Sequence, residues 1–244
     1  MSLVAFGNIS DGLKKQIERE ISKFGKNLVI LRSGYVRVTG RGAQPFGDSK
    51  NLKLDTVQRI RESVPGIVQV VPFYDASYPA RNEEKTVTAS VIGTTAGIFQ
   101  IRNLDLLMGT YFTEDDNLNA RKKAVVGYKV FDNLFQRENP IGKYILVYRV
   151  PTEIIGVLQE KGTDLAGQDQ DLEVYVPLNS FMRRYSNVDY IRGAYLQVQD
   201  GILLAEMKPI LQSFIRTIRN MKPENKDDFS IFTMEDIVKT QEQG

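Results

Sequence analysis

The same order of local signals, strand then helix then strand, stands near both ends of this chain, with about a hundred residues between the two copies. Two β-α-β halves can share one sheet, as ferredoxin-like folds do, and the residues between them must then leave that sheet and return to it. In the first copy Leu13, Ile17, Ile21 and Phe24 recur at helical spacing, Ser10 serves as N-cap and Gly25 as the stop. Residues 27–31, Asn-Leu-Val-Ile-Leu, read as a buried strand, and residues 40–51, rich in glycine and polar side chains, as a loop. Leu54, Val57, Ile60 and Val64 predict a second helix ended by Pro65-Gly66, with a β-rich run over 67–73. The second copy is a strand over 190–198, a helix over 202–221 carrying Met207, Leu211, Phe214 and Ile218, and a short strand over 229–232.

Between them, Val87, Ala89 and Val91 alternate with polar residues and predict a half-buried strand over 86–93. Residues 123–127, 144–148, 153–158 and 172–176 are further strand candidates, and 128–135 a short helix. Thr113-Glu-Asp-Asp reads as a capped helix start with acids in the first turn. The apolar stretch from Phe99 to Phe112 reads as core of the insert, with a substrate- or peptide-binding groove as the sharper alternative. Residues 160–171 are glycine-containing and acidic and read as a mobile loop.

The chain has no His, Cys or Trp. Imidazole and thiolate metal sites, a Ser-His-Asp triad and a Cys-His dyad are therefore excluded. A net charge of +2, with 25% charged residues, argues against a nucleic-acid partner, which needs a concentrated basic face. Lys14, Lys15, Arg19 and Lys23 are interrupted by Glu18 and Glu20 and read as a solvated helix face. Gly142-Lys143 is followed by Tyr144 where a P-loop needs Ser or Thr, so ATP binding by this chain is not expected. Counted from Asp164, a calcium loop would need oxygen ligands where Ala166 stands, and that match fails. No cofactor, metal or catalytic residue is expected. No apolar run reaches the length of a membrane span, and Met1-Ser2-Leu3 reads as a short expression leader.

Read as a whole, the chain resembles the periplasmic core domain of MacB-type ABC-transporter permeases. The segments that carry the resemblance are Val4-Ala-Phe-Gly-Asn8, residues 24–34 (Phe-Gly-Lys-Asn-Leu-Val-Ile-Leu-Arg-Ser-Gly) and Pro65-Gly-Ile-Val-Gln-Val-Val-Pro72. They continue with Gly93-Thr-Thr-Ala-Gly-Ile-Phe99, Leu107-Met-Gly-Thr-Tyr-Phe112, Ala124-Val-Val-Gly127, Pro140-Ile-Gly-Lys143, Ile154-Ile-Gly-Val157 and Val174-Tyr-Val-Pro-Leu178. No single piece is specific; the ordered set is. Lys53 stands where family members often place a Ser or Thr cap.

The resemblance implies an α+β fold in which a porter-like βαβ–insert–βαβ subdomain, residues 1–85 and 187–244, carries an inserted mixed α/β subdomain, residues 86–186, called Sabre in this family. It implies one membrane helix before residue 4 and three after residue 244. It implies an inner-membrane protein whose outer domain, periplasmic or extracellular, works as a dimer with a cytoplasmic ATPase, fused or separate, and with a periplasmic adaptor (membrane fusion protein). ATP hydrolysis there drives motion of the outer domains, called mechanotransmission, and the family's substrates include macrolides, peptides, toxins and lipoproteins. Partner contact is expected on the acidic loop, at Asp164, Leu165, Asp169 and Asp171, because recognition favours loops held by a rigid scaffold. Two other readings stand beside it: a regulatory module that resembles FtsX-type permeases acting on cell-wall hydrolases, against which the full insert counts, and a stand-alone secreted binding protein.

Overall fold

The computed structural model describes residues 15, 18, 19, 25–39, 42–164 and 168–242. The helix expected over 10–24 lies outside the described residues except at Lys15, Glu18 and Arg19. The fold is α+β. Its strands are β1 (Leu28–Ser33), β2 (Tyr35–Thr39), β3 (Gly42–Gly47), β4 (Ile67–Asn82), β5 (Lys85–Thr94), β6 (Leu106–Gly109), β7 (Lys123–Val126), β8 (Tyr144–Val147), β9 (Val150–Leu158), β10 (Glu173–Pro177), β11 (Gly193–Val198) and β12 (Phe229–Phe232). The longer helices are α1 (Leu54–Ser63), α2 (Tyr128–Phe135), α3 (Leu204–Ile218) and α4 (Met234–Glu242).

The two β-α-β copies meet in one sheet, in the order β12-β1-β11-β4, all antiparallel. Alternation along β1 sends Val29 and Leu31 to one face and Leu28 and Ile30 to the other. On the first face α1 and α3 bury Val57, Ile60, Leu211 and Ile215 against the strands. On the second, α4 brings Met234 and Ile237 onto Phe73 and Phe232.

The sheet does not stop at β4. That strand is a single run of 16 residues. It pairs with β11 up to Phe73 and with β5 from Phe73 to Asn82, ahead of residue 86, where the sequence reading opens the insert. Beyond it, β5, β10, β7, β9 and β8 follow in turn, and β8 returns to β4 at Ala80 and Arg81. Six strands therefore close on themselves, which removes free edges within the ring, while β4 keeps one open edge ahead of Phe73. One apolar cluster runs without a break from Val29 and Leu196 to Val126, Leu134 and Ile154 inside the ring.

Two expectations are corrected. Residues 40–51 are not all loop: β3 pairs antiparallel with β2 as a hairpin that packs on α4. Glycine and proline density suggested a loop, but Pro45 is tolerated because a two-stranded ribbon leaves each strand an open edge. Gly34 makes the entry to the hairpin possible. It sits at φ +78°, and a Cβ there would stand 2.1 Å from the Gly47 carbonyl oxygen. The β run over 67–73 is also only the first half of β4, because residues beyond Phe73 mix Tyr, Pro, Asp and Ser and hide the continuing pairing.

The expected helix start at Thr113 is present as a reciprocal capping box. The Thr113 hydroxyl accepts from the Asp116 N–H at 3.2 Å and the Asp116 carboxylate accepts from the Thr113 N–H at 2.9 Å. Within the stretch from Phe99 to Phe112, Phe99, Ile101, Leu104 and Phe112 are buried core, whereas Leu107 and Tyr111 remain exposed.

Candidate functional site

A cavity of about 270 Å³ lies between the second face of the sheet, the β2–β3 hairpin, α4 and the loop 160–171. Its apolar wall comes from Ile30, Ile92, Phe232 and Ile237, and its polar wall from Arg32, Asp75, Arg102 and Glu173, with Asp164 and Gln168 at the loop side. Strand alternation places the polar groups. Arg32 on β1 and Asp75 on β4 meet past the start of the intervening β11, and the Arg32 guanidinium reaches both Asp75 oxygens at 3.1 and 3.0 Å. Glu173 opens β10, and Arg102 closes the helical turn Ile98–Ile101.

Arg102 and Glu173 are buried charges, 2% and 6% exposed. Arg102 donates to the Gln170 side-chain oxygen at 3.0 Å and lies 5.5 Å from the centre of the Tyr195 ring. Burial alone would lower the Arg102 pKa, but Tyr195, Tyr175 and Glu173 outweigh it and hold it above the ordinary arginine value. The Tyr175 hydroxyl donates to Glu173. Burial pushes the Glu173 carboxyl up to about 6, against the opposing pull of Arg102. Burial likewise raises Tyr175 and Tyr195. The cavity wall thus carries two cations and two acids, with Arg32 and Asp75 paired to each other.

The loop residues singled out from the sequence have distinct places. Asp171 is 1% exposed, and its two oxygens accept from the N–H groups of Lys161 at 2.7 Å and Gly162 at 2.8 Å. It clamps the two ends of the loop together. Asp169 caps the following turn through the Asp171 N–H at 3.0 Å and pairs with Lys129. Asp164 accepts from the Gln168 N–H at 2.9 Å and borders the cavity. Leu165 lies outside the described residues. The stretch read as a mobile loop therefore uses several of its acids to hold its own backbone. The cavity's central charges, Arg32, Asp75, Arg102 and Glu173, were not singled out from the sequence. The available signal was a lone cation ending the apolar run at Ile101 and an acid directly before the apolar strand at Val174.

Two β-α-β copies joined in one sheet, with β4 running on into a six-stranded ring, make a fold found in the outer regions of transporters. It is shared with the periplasmic region of MacB from Actinobacillus actinomycetemcomitans, at a TM-score of 0.74 and 22% identity over 94% of this chain and 99% of that one. The extracellular domain of the noncanonic ABC-type transporter YknZ from Gram-positive bacteria has the same fold, at a TM-score of 0.66 and 20% identity over 85% of this chain and all of that one. The chain belongs to the MacB-like periplasmic core domain family, whose model matches residues 1–213. The macrolide export ATP-binding/permease protein MacB of Bdellovibrio bacteriovorus is 32% identical over 231 residues, 94% of this chain and 35% of that protein. The pyoverdine export ATP-binding/permease protein PvdT of Pseudomonas aeruginosa is 33% identical over 179 residues, 73% of this chain and 26% of that protein. The chain thus spans about a third or less of the length of these curated relatives. Among the described residues no helix is long and apolar enough to cross a membrane.

Proposed function

We propose that the chain is the outer lever of an export permease in the inner membrane. It passes motion driven by ATP hydrolysis in a cytoplasmic domain or subunit to a substrate outside the membrane, and has no catalytic activity itself. The observation that carries this reading is β4, one strand shared between the sheet of the two β-α-β copies and the ring of the insert. A lever needs a stiff connection, and a strand hydrogen-bonded on both sides of its handover point supplies one. In this reading residues 1–85 with 187–244 are the porter-like body that receives force, and 86–186 the body that delivers it. The permease acts as a dimer, and a periplasmic adaptor docks on the loop carrying Asp164, Leu165 and Asp169, whose base Asp171 holds closed.

The test uses the full-length permease. Two glycines inserted after Asp75 should leave ATP hydrolysis in place and abolish export, whereas the same two glycines between Glu83 and Glu84, at the β4–β5 turn, should leave export intact. Equal export by both variants, with both folded, would overturn the lever reading. The loop is tested separately. A Gly-Ser linker in place of residues 163–170 should keep the fold and reduce export. Unchanged export would remove the loop from the proposal.

A further inference from the structure

A second opening, about 730 Å³, runs along the first half of β4, between α1 on one side and the short helix Glu114–Leu118 on the other. Along Val68–Pro72 the strand pairs with β11 on one side alone, because pairing with β5 begins only at Phe73. The Thr94 hydroxyl donates to the Pro72 carbonyl at 2.9 Å, so that carbonyl faces the β5 side, away from β11. Backbone groups of an antiparallel strand repeat their direction every second residue. The N–H and C=O of Val70 therefore point into the opening, with no strand beside them among the described residues. Val68 is bulged out of register against Gln197 and Val198, and its side chain is 49% exposed. Leu118, across the opening, is 67% exposed.

The walls carry a second signal. The side-chain carboxamides of Gln58, Gln69, Gln197 and Asn179 all line the opening, and none makes a hydrogen bond among the described residues. Arg61 and Glu114 stand on opposite walls, so the lining charges cancel. The exposed edge has no charged residue between Val68 and Pro72, so its guards against pairing are the bulge at Val68 and Pro72 at its end.

We infer that this groove takes an extended, uncharged peptide segment of another protein, which adds beside Val68–Val70 as a further strand. Its backbone pairs with Val70, its aliphatic side chains sit against Val68 and Leu118, and the four carboxamides take up its remaining polar groups. Pro72, without an N–H and with its carbonyl already held by Thr94, ends the strand at one side. The inference does not rest on the export reading, because it follows from the open edge and its walls.

The probe is an acetylated, amidated hexapeptide of alternating threonine and valine, with two versions N-methylated on alternate residues, one of each parity. Amide exchange by NMR should show Val70 exchanging fast in the free chain while Val71 is protected, and at least tenfold slowing at Val70 with saturating peptide. One N-methylated version should bind like the parent and the other at least tenfold more weakly. Leu118→Lys, at an exposed site, should weaken the parent peptide at least tenfold with thermal stability unchanged. The inference is overturned if Val70 is already protected in the dilute free chain, if both N-methylated versions bind alike, or if Leu118→Lys has no effect. Slowing at Val70 that appears without peptide as the chain is concentrated would put a second copy in the groove, and would overturn it too.

Discussion

Glu173 is a carboxyl whose protonation the fold shifts upward. An unfolded glutamate titrates near 4.5, and this one titrates at about 6, chiefly because it is buried. The folded state therefore binds more protons than the unfolded state between those values, and stability falls as pH rises through that window. The shift corresponds to about 2 kcal/mol, present below pH 4.5 and lost above pH 6. Glu173→Gln cannot titrate, so its stability relative to the parent chain should improve by about 2 kcal/mol between pH 4.5 and pH 7, as measured by denaturant unfolding at the two pH values. Asp171 gives the opposite expectation. Asp171→Ala leaves two loop N–H groups without their acceptor and should cost about 2 kcal/mol, whereas Asp164→Ala, at the loop's half-buried side, should cost under about 0.5 kcal/mol. Urea titration of the two variants checks the contrast. None of this could be read from the sequence, where Asp164, Asp169 and Asp171 look alike. Only the fold decides that one faces a cavity, one pairs with Lys129 and one is enclosed by backbone.

At the level of elements, legibility followed local periodicity. The expected helix over 128–135 and strand over 229–232 are found with those bounds, and α1 starts at Leu54, where the apolar spacing begins. Each has an apolar stripe set by its own geometry and needs no distant partner to be recognised. The β2–β3 hairpin and α4 were not legible. The hairpin's glycines and proline mimic a loop, and α4 follows β12 so closely that no linker composition separates them. The α4 start is a capping box, in which the Asp236 N–H donates to the Thr233 hydroxyl at 3.2 Å and the Thr233 N–H to Asp236 at 2.8 Å. The hairpin depends on Gly34. Gly34→Ala adds a methyl group against the Gly47 carbonyl at a φ that disfavours side chains, and should destabilise the chain by about 2 kcal/mol or more. Thermal unfolding should show the loss, and Gly162→Ala, at φ +79° but in open space, should cost less.

For the whole molecule, the meeting of the two β-α-β copies in one sheet was legible because each copy carries its own pattern. The sharing of β4 was not, because pairing partners are chosen by sequence-distant strands. Association adds a further expectation. On the lever reading, membrane helices outside this chain tether a dimer; the chain alone loses the effective concentration they supply and should sediment as a monomer at about ten micromolar in analytical ultracentrifugation. A stable dimer would show an interface carried by the outer domain alone. The sheet order also fixes a sequence of events in time. β1, near the beginning of the chain, is flanked on both sides by strands from its far end, β11 and β12. The ring formed by β4, β5, β7, β8, β9 and β10 needs nothing beyond Pro177 to close. Contacts between distant segments form late, since closing the long loop costs entropy before any contact repays it. The ring is thus free to fold while the ribosome is still working, whereas β1 must wait, both edges bare, until β11 and β12 have been made.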